Sequence, residues 1–272
     1  MVLGKFISIR LCIILSVVFI GLLIFACSDS TKSPSGPGPG GPIYQPPPAI
    51  TPEMIDSANY YSDTEAALMA MWYCDGLIPS GEVYVRFRDA LRELRKVYWH
   101  DIPAVKIRFA FPAVPSQILV SLTDSAITEF RNGNYHAWDS LNVLFHLRSI
   151  DSLPLLEEMK YVRMSFEGRL HPEHLRLYYE MLPGVTGAEA IKYGGDWPNI
   201  YPWILDDKVT FLARDAWGDC PAGCTESHFY YFKEADTGFI YIGDWQFWTP
   251  VPDWWEEGRT AFCAYTTHSS CN

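Results

Sequence analysis

Residues 28–50 read SDSTKSPSGPGPGGPIYQPPPAI, with seven prolines and four glycines in 23 positions. No packed core forms from such a stretch, because it holds too little apolar side chain to offset the entropy lost on ordering it. Its prolines favour extended backbone, so it reads as a semi-rigid tether. The tether divides the chain. Whatever folds begins near residue 51, and whatever precedes residue 28 acts on its own.

What precedes it is apolar. Lys5 and Arg10 are the only charges before residue 29, and residues 11–26 are a nearly unbroken apolar run. Sixteen residues fall short of the about 20 that a spanning helix needs. A basic start, an apolar middle and a small residue at the end read as a secretory signal peptide over residues 1–26. Ile24-Phe25-Ala26-Cys27 then resembles the lipobox of bacterial lipoproteins. That resemblance implies that Cys27 carries acyl chains such as palmitate and becomes the mature N-terminus. Ser28 after the cysteine is similar to the family's outer-membrane class. An uncleaved membrane anchor is the alternative, and both readings put residues 28–272 outside the cytoplasm. The implied partner is a membrane, reached through the N-terminal lipid, in the cell envelope.

Residues 51–272 remain, enough for one large domain or two small ones. Setting aside Lys5 and Arg10 leaves 19 basic residues against 32 acidic ones, a net charge of −13. Nucleic acid is excluded as a partner, since phosphate binding needs a basic surface. Broad electrostatic adhesion to anionic lipid is excluded on the same ground.

Periodicity gives the elements. Ser62 and Glu65 form a capping-box pattern before an apolar run that Cys74-Asp75-Gly76 ends. Val83, Phe87, Leu91 and Leu94 recur at helical spacing, which predicts a helix over 81–98. Its polar face carries Arg86, Arg88, Arg92, Arg95 and Lys96 among acids; it reads as a solvated face, or as a basic strip for an acidic partner. Val105, Ile107, Phe109 and Phe111 alternate and predict a strand, and 117–122 predicts another. Helices follow at 124–130 and 136–147, then a strand at 160–166, a helix from Pro172 to Met181 and a short strand at 185–191. Beyond residue 200 the texture is β: a strand at 208–217 and a hairpin at 226–245 around Asp236-Thr237-Gly238. The expected class is α+β. Helices and a ferredoxin-like α/β sandwich, by analogy of element order, occupy 51–191, and a stapled, mostly antiparallel β unit occupies 192–272. Residues 27–50 form the lipidated tether.

Seven cysteines are present. Cys12 lies in the signal segment and Cys27 is the lipid site. Export favours disulfides among the remaining five. Pro221-Ala222-Gly223 can turn between Cys220 and Cys224, and Cys263 and Cys271 flank a short terminal loop, so these two pairs are expected. Cys74 is then the free buried thiol. Rival arrangements are a redox pair, a crossed pairing such as Cys220 with Cys263, and a zinc site drawing on these cysteines or His268. GDCPAGC is similar to a motif of uncharacterised exported bacterial proteins, a resemblance of about ten residues that implies no activity.

Catalytic patterns are weak. His171-Pro172-Glu173-His174 spaces its histidines by three, where helical zinc pairs use four; it reads as a proline-started helix. His136, Asp139 and Ser140 are neighbours in sequence only. No metal and no other cofactor is expected. Trp245, Phe247, Trp248, Trp254 and Trp255 cluster beside Asp244, Asp253, Glu256 and Glu257. The tryptophans Trp245, Trp248, Trp254 and Trp255 suit a core, a protein interface or a sugar-stacking face. The expected function is binding or scaffolding of another envelope component, a protein or a glycan, without catalysis. The alternative is an extracytoplasmic hydrolase of peptide or polysaccharide.

Overall fold

The computed structural model describes residues 50–152 and 161–265. The signal segment, Cys27, most of the tether and Cys271 lie outside the described residues. The fold is α+β, with two four-stranded antiparallel sheets and a β-rich C-terminal unit.

Three helices come first: α1 (Pro52–Asn59), α2 (Thr64–Cys74) and α3 (Gly81–Tyr98). The expected cap of α2 is corrected by one residue. Asp63 accepts the Ala66 N–H at 3.2 Å. Glu65 turns inward instead of completing a capping box, because Arg95, itself largely buried, takes both its oxygens at 2.7 and 2.8 Å. The strip on α3 is likewise committed within the chain. Arg86 binds Asp207, Arg88 binds Asp89 and Lys96 binds Glu93.

The first sheet holds β1 (Ala113–Leu122), β2 (Leu147–Asp151), β3 (Tyr161–Phe166) and β4 (Val185–Lys192) in the order β2-β3-β1-β4. Helices α4 (Asp124–Arg131) and α5 (Asp139–Leu144) connect β1 to β2, and α6 (Pro172–Glu180) connects β3 to β4. Read from its other edge, this is the 4-1-3-2 order of a ferredoxin-like sandwich. Ile118, Val120, Val162, Met164 and Ala188 share one core with Phe145, Leu175 and Tyr179. The opposite face carries Arg163 on Asp151 and Tyr161 on Glu189. The helix expected over 136–147 shortens to 139–144, because His146 takes a left-handed φ of 52° and turns the chain into β2.

The second sheet is a meander of β5 (Asn199–Leu205), β6 (Lys208–Trp217), β7 (Glu226–Ala235) and β8 (Gly238–Gln246). A helix unforeseen in the sequence, α7 (Trp255–Tyr265), follows. Trp255 and Phe262 of α7 pack on Tyr201, Leu212, Phe229, Tyr231 and Trp245. The other face carries Phe211, Phe232 and Phe239, which join Phe87, Leu94 and Met71 of α2 and α3. Core packing thus crosses the division expected at residues 191–192. A meander has no crossover helix of its own, so helices from earlier in the chain cover that face.

The strand expected over 105–111 does not form. Residues Pro103–Lys106 make a 3-10 turn, and the backbone after it is extended without a ladder. The alternation is real as burial: Val105, Phe109 and Phe111 point inward. Side chains supply the hydrogen bonds that a neighbouring strand would give. Arg95 donates to the Val105 and Ile107 carbonyls at 2.9 and 3.0 Å, Phe109 N–H donates to Glu65 at 2.9 Å, and Ala110 N–H donates to Asn199 at 2.9 Å. Buried backbone polar groups need such partners, and they need not be backbone.

Candidate functional site

Helix α3 covers only part of the second sheet. On that face β6 runs Phe211, Ala213, Asp215, Trp217, and cover stops after Ala213: Asp215 is exposed and Trp217 is 42% exposed. Register places His228 opposite Asp215 on one side and Gln246 on the other, with Tyr230 opposite Asp244. An uncovered patch of polar and aromatic side chains results.

The patch is held by its own hydrogen bonds. His228 Nε2 meets Asp244 Oδ2 at 2.5 Å. The Tyr230 hydroxyl and the Gln246 amide approach His228 Nδ1 at 2.8 and 3.1 Å. Two donors on Nδ1 put the imidazole proton on Nε2, so His228 donates to Asp244. Tyr241 donates to the other carboxylate oxygen at 2.6 Å. This last bond depends on a β-bulge. Tyr231 pairs with Gly243 but Phe232 with Tyr241, so Ile242 is the extra residue. Tyr241 and Asp244, three apart, thereby share a face.

Charge follows from these contacts. The Tyr241 hydroxyl first, and then His228, hold the Asp244 carboxyl below its ordinary range against the upward pull of partial burial. Burial, with Asp244 nearby, pushes the Tyr241 hydroxyl up. Burial, Asp215 and Asp244 do the same for Tyr230. At neutral pH the patch presents a carboxylate and two protonated phenols.

The loop between Trp217 and Glu226 borders the patch. It contains the Cys220–Cys224 disulfide, closed over a 3-10 turn at Cys220–Ala222. The bridged turn grips the segment before β5: Asp196 N–H donates to the Cys220 carbonyl at 2.8 Å. Asp196 in turn clasps the buried Arg214 with two bonds of 2.6 and 2.7 Å, and Arg214 Nε donates to Ser227 at 2.8 Å. Burial pulls the Asp196 carboxyl up, but Arg214's hydrogen bonds and charge outweigh it and the net displacement is downward. Two glycines make the close approaches. A Cβ on Gly218 would lie 2.0 Å from Thr225 Oγ1, and one on Gly195 would lie 2.9 Å from the Cys220 carbonyl oxygen; both have positive φ.

Of the other cysteines, Cys74 departs from expectation. Cys74 and Cys263 are each disulfide-bonded, so Cys74 is not the free thiol. The end of α2 lies against the end of α7, with Trp72 and Tyr265 rings 5.6 Å apart. The expected Cys263–Cys271 pair reaches outside the described residues. The bridge also removes Cys220 and Cys224 as thiolate ligands for zinc.

The tryptophans divide. Trp245 and Trp255 are buried, and Trp254 stacks on Tyr231 at 5.3 Å, all on the α7 side. Trp248, in the turn closed by Thr249 N–H on the Gln246 carbonyl, is 61% exposed. The neighbouring carboxylates divide too. Asp244 belongs to the patch, Glu257 binds Tyr231 and Lys233 on the opposite face, and Glu256 pairs with Arg259. Two concavities stand out, of about 440 Å³ beside Arg148 and Arg169 and about 130 Å³ beside Trp197 and Tyr265. Neither is lined by Asp244, Asp253 or Glu256. A group with metal-ligating chemistry, Asp75, His171 and His174, shares no residue with the patch.

Compared with known proteins, the chain matches no protein-family model, no curated protein and no solved structure.

Proposed function

We propose that this chain is a lipid-anchored envelope protein, tethered at Cys27, that binds or scaffolds another envelope component through the uncovered end of its second sheet. One observation carries the reading: Trp217, Tyr230, Tyr241, His228, Asp244 and Gln246 occupy an uncovered end whose polar side chains are held in place by hydrogen bonds. Side chains fixed in advance lose little entropy on binding. An indole face beside a hydroxyl, an amide and a carboxylate suits a saccharide, whose rings offer C–H faces and hydroxyls together. The test is co-sedimentation of the folded part with isolated envelope polysaccharide. Trp217→Ala is expected to weaken retention at least tenfold with unchanged melting; retention equal to wild type overturns the reading.

A second reading, an extracytoplasmic hydrolase of peptide or polysaccharide, draws on the Tyr230–His228–Asp244 relay. A histidine between a hydroxyl and a carboxylate has the contacts of a general base. The lowered pKa of Asp244 suits an orienting carboxylate and not a general acid. Substrate turnover lost in His228→Ala would favour this reading over simple binding.

A further inference from the structure

Helix α2 ends against the start of α6. Asp75, the residue after α2, has a left-handed φ of 47°, although Gly76 follows and would adopt that conformation at lower cost. The backbone is anchored there by Asp75 N–H on the Met71 and Trp72 carbonyls. From this position the carboxylate reaches two histidines of the α6 N-terminus, 96 and 99 residues away in sequence. His171 is the residue that caps α6, and His174 is its third helical residue. His174 Nε2 lies 2.9 Å from Asp75 Oδ1 and His171 Nε2 lies 3.8 Å from it. All three donor atoms fall within 4.8 Å of one another. His171 N–H on the Leu77 carbonyl, at 2.8 Å, fixes the two segments together.

We propose that Asp75, His171 and His174 form a binding site for a divalent transition-metal ion of the zinc type. Two imidazoles and one carboxylate are a donor set for such ions, whereas calcium and magnesium prefer oxygen alone. Donors of a tetrahedral site with bonds of about 2.1 Å stand ~3.4 Å apart, so small side-chain rotations bring this group to size. His171 is buried and rests edge-on against Phe111 at 5.0 Å, while Asp75 is exposed, so the site has a fixed floor and an open mouth. Three protein ligands leave at least one position to water or to a ligand's own oxygen.

One rearrangement accompanies binding. His171 Nδ1 accepts the Glu173 N–H over a long 3.3 Å, so the neutral ring carries its proton on Nε2. Ligation through Nε2 moves that proton to Nδ1 and exchanges the capping bond for a metal bond. Two histidines and a carboxylate meeting at a helix N-terminus also serve a purely electrostatic role, because a negative charge there is favourable. The experiment separates the two.

Calorimetric titration of the whole exported chain with zinc sulfate, after treatment with a chelator, reads the stoichiometry. Cobalt substitution then reads the ligand set by visible absorption. One zinc per chain is expected, weakened at least tenfold in His174→Ala and in Asp75→Asn, with His228→Ala unaffected. Circular dichroism of each variant checks that it folds. Should His174→Ala unfold, Asp75→Asn and His174→Gln decide the matter, both keeping a polar side chain in place. Absence of zinc binding, or equal binding in folded Asp75→Asn and His174→Gln, overturns the proposal and leaves the electrostatic role.

Discussion

The first sheet packs helices against the face that carries Ile118, Val120 and Met164, and turns Tyr161, Arg163 and Glu189 the other way. The second takes helices on both faces, α3 on one and α7 on the other. Strand β6 shows the consequence. Residues 209–214 are all buried, and then Asp215 and Trp217 are exposed on either side of buried Ala216. Within a doubly covered sheet, a return to alternation marks where the cover stops. On the singly covered sheet the same alternation is ordinary and marks nothing.

The deepest connection between the two regions offers the largest expected effect. Glu65 binds Arg95, Arg108 and the Phe109 amide, and so holds the extended segment running from α3 into β1. Glu65→Ala leaves a guanidinium in the interior without its counter-charge, at a cost of about 3–5 kcal/mol. Urea unfolding monitored by tryptophan fluorescence measures it. A pH dependence follows. Burial raises the Glu65 carboxyl, but Arg95, the Phe109 amide and Arg108 outweigh it and its pKa is lowered. A lowered carboxylate contributes stability above its unfolded value of about 4.3 and loses it as pH falls through the folded value. Wild type and Glu65→Gln should therefore converge in stability below about pH 4; a gap that widens with acid would reverse the assignment.

The disulfide comes next. Cys220→Ser should lower stability by about 1–3 kcal/mol, since the closed loop is short. Melting falls by a few degrees, and no redox phenotype accompanies it. The loss should be confined to the second sheet, because the bridge grips only Asp196 and the β6–β7 loop. Hydrogen exchange in β1 and β3 should stay unchanged. Equal acceleration in both sheets would mean that the two regions unfold as one.

How much of this was written in the sequence depends on periodicity. Helix α3 was legible because its apolar residues keep one spacing for five turns. Residues 105–111 misled because alternation reports burial, and a ladder is only one way to satisfy the backbone. Strand β5 escaped because NIYPWIL is buried along most of its length and holds Pro202, which suits an edge strand. Helix α7 escaped because Gly258 and the paired tryptophans look unlike a helix. The patch was half legible. A two-residue turn at Asp236-Thr237 pairs Ala235 with Gly238, and uninterrupted register from there would set His228 opposite Trp245. The bulge at Ile242 shifts it to Gln246 and brings Asp244 to the same face. Nothing in the local composition announces that extra residue. Asp75 with His171 was not legible at all, since only the tertiary fold brings them together.

The smallest effect on stability is the one that tests the comparison most closely. Trp217→Ala removes an exposed ring and Arg163→Ala removes a half-buried ion pair on the first sheet's polar face. Both should change stability by no more than about 1 kcal/mol. Their effects on polysaccharide retention should differ sharply, a loss for Trp217 and none for Arg163. The reason is order of arrangement: Trp217 shares a face of β6 with Asp215, whose register partner His228 belongs to a network of five hydrogen-bonded groups, whereas Arg163 makes an ion pair with Asp151. If both variants lost retention equally, exposure on a sheet face would be sufficient, and the uncovered end of β6 would have no special standing.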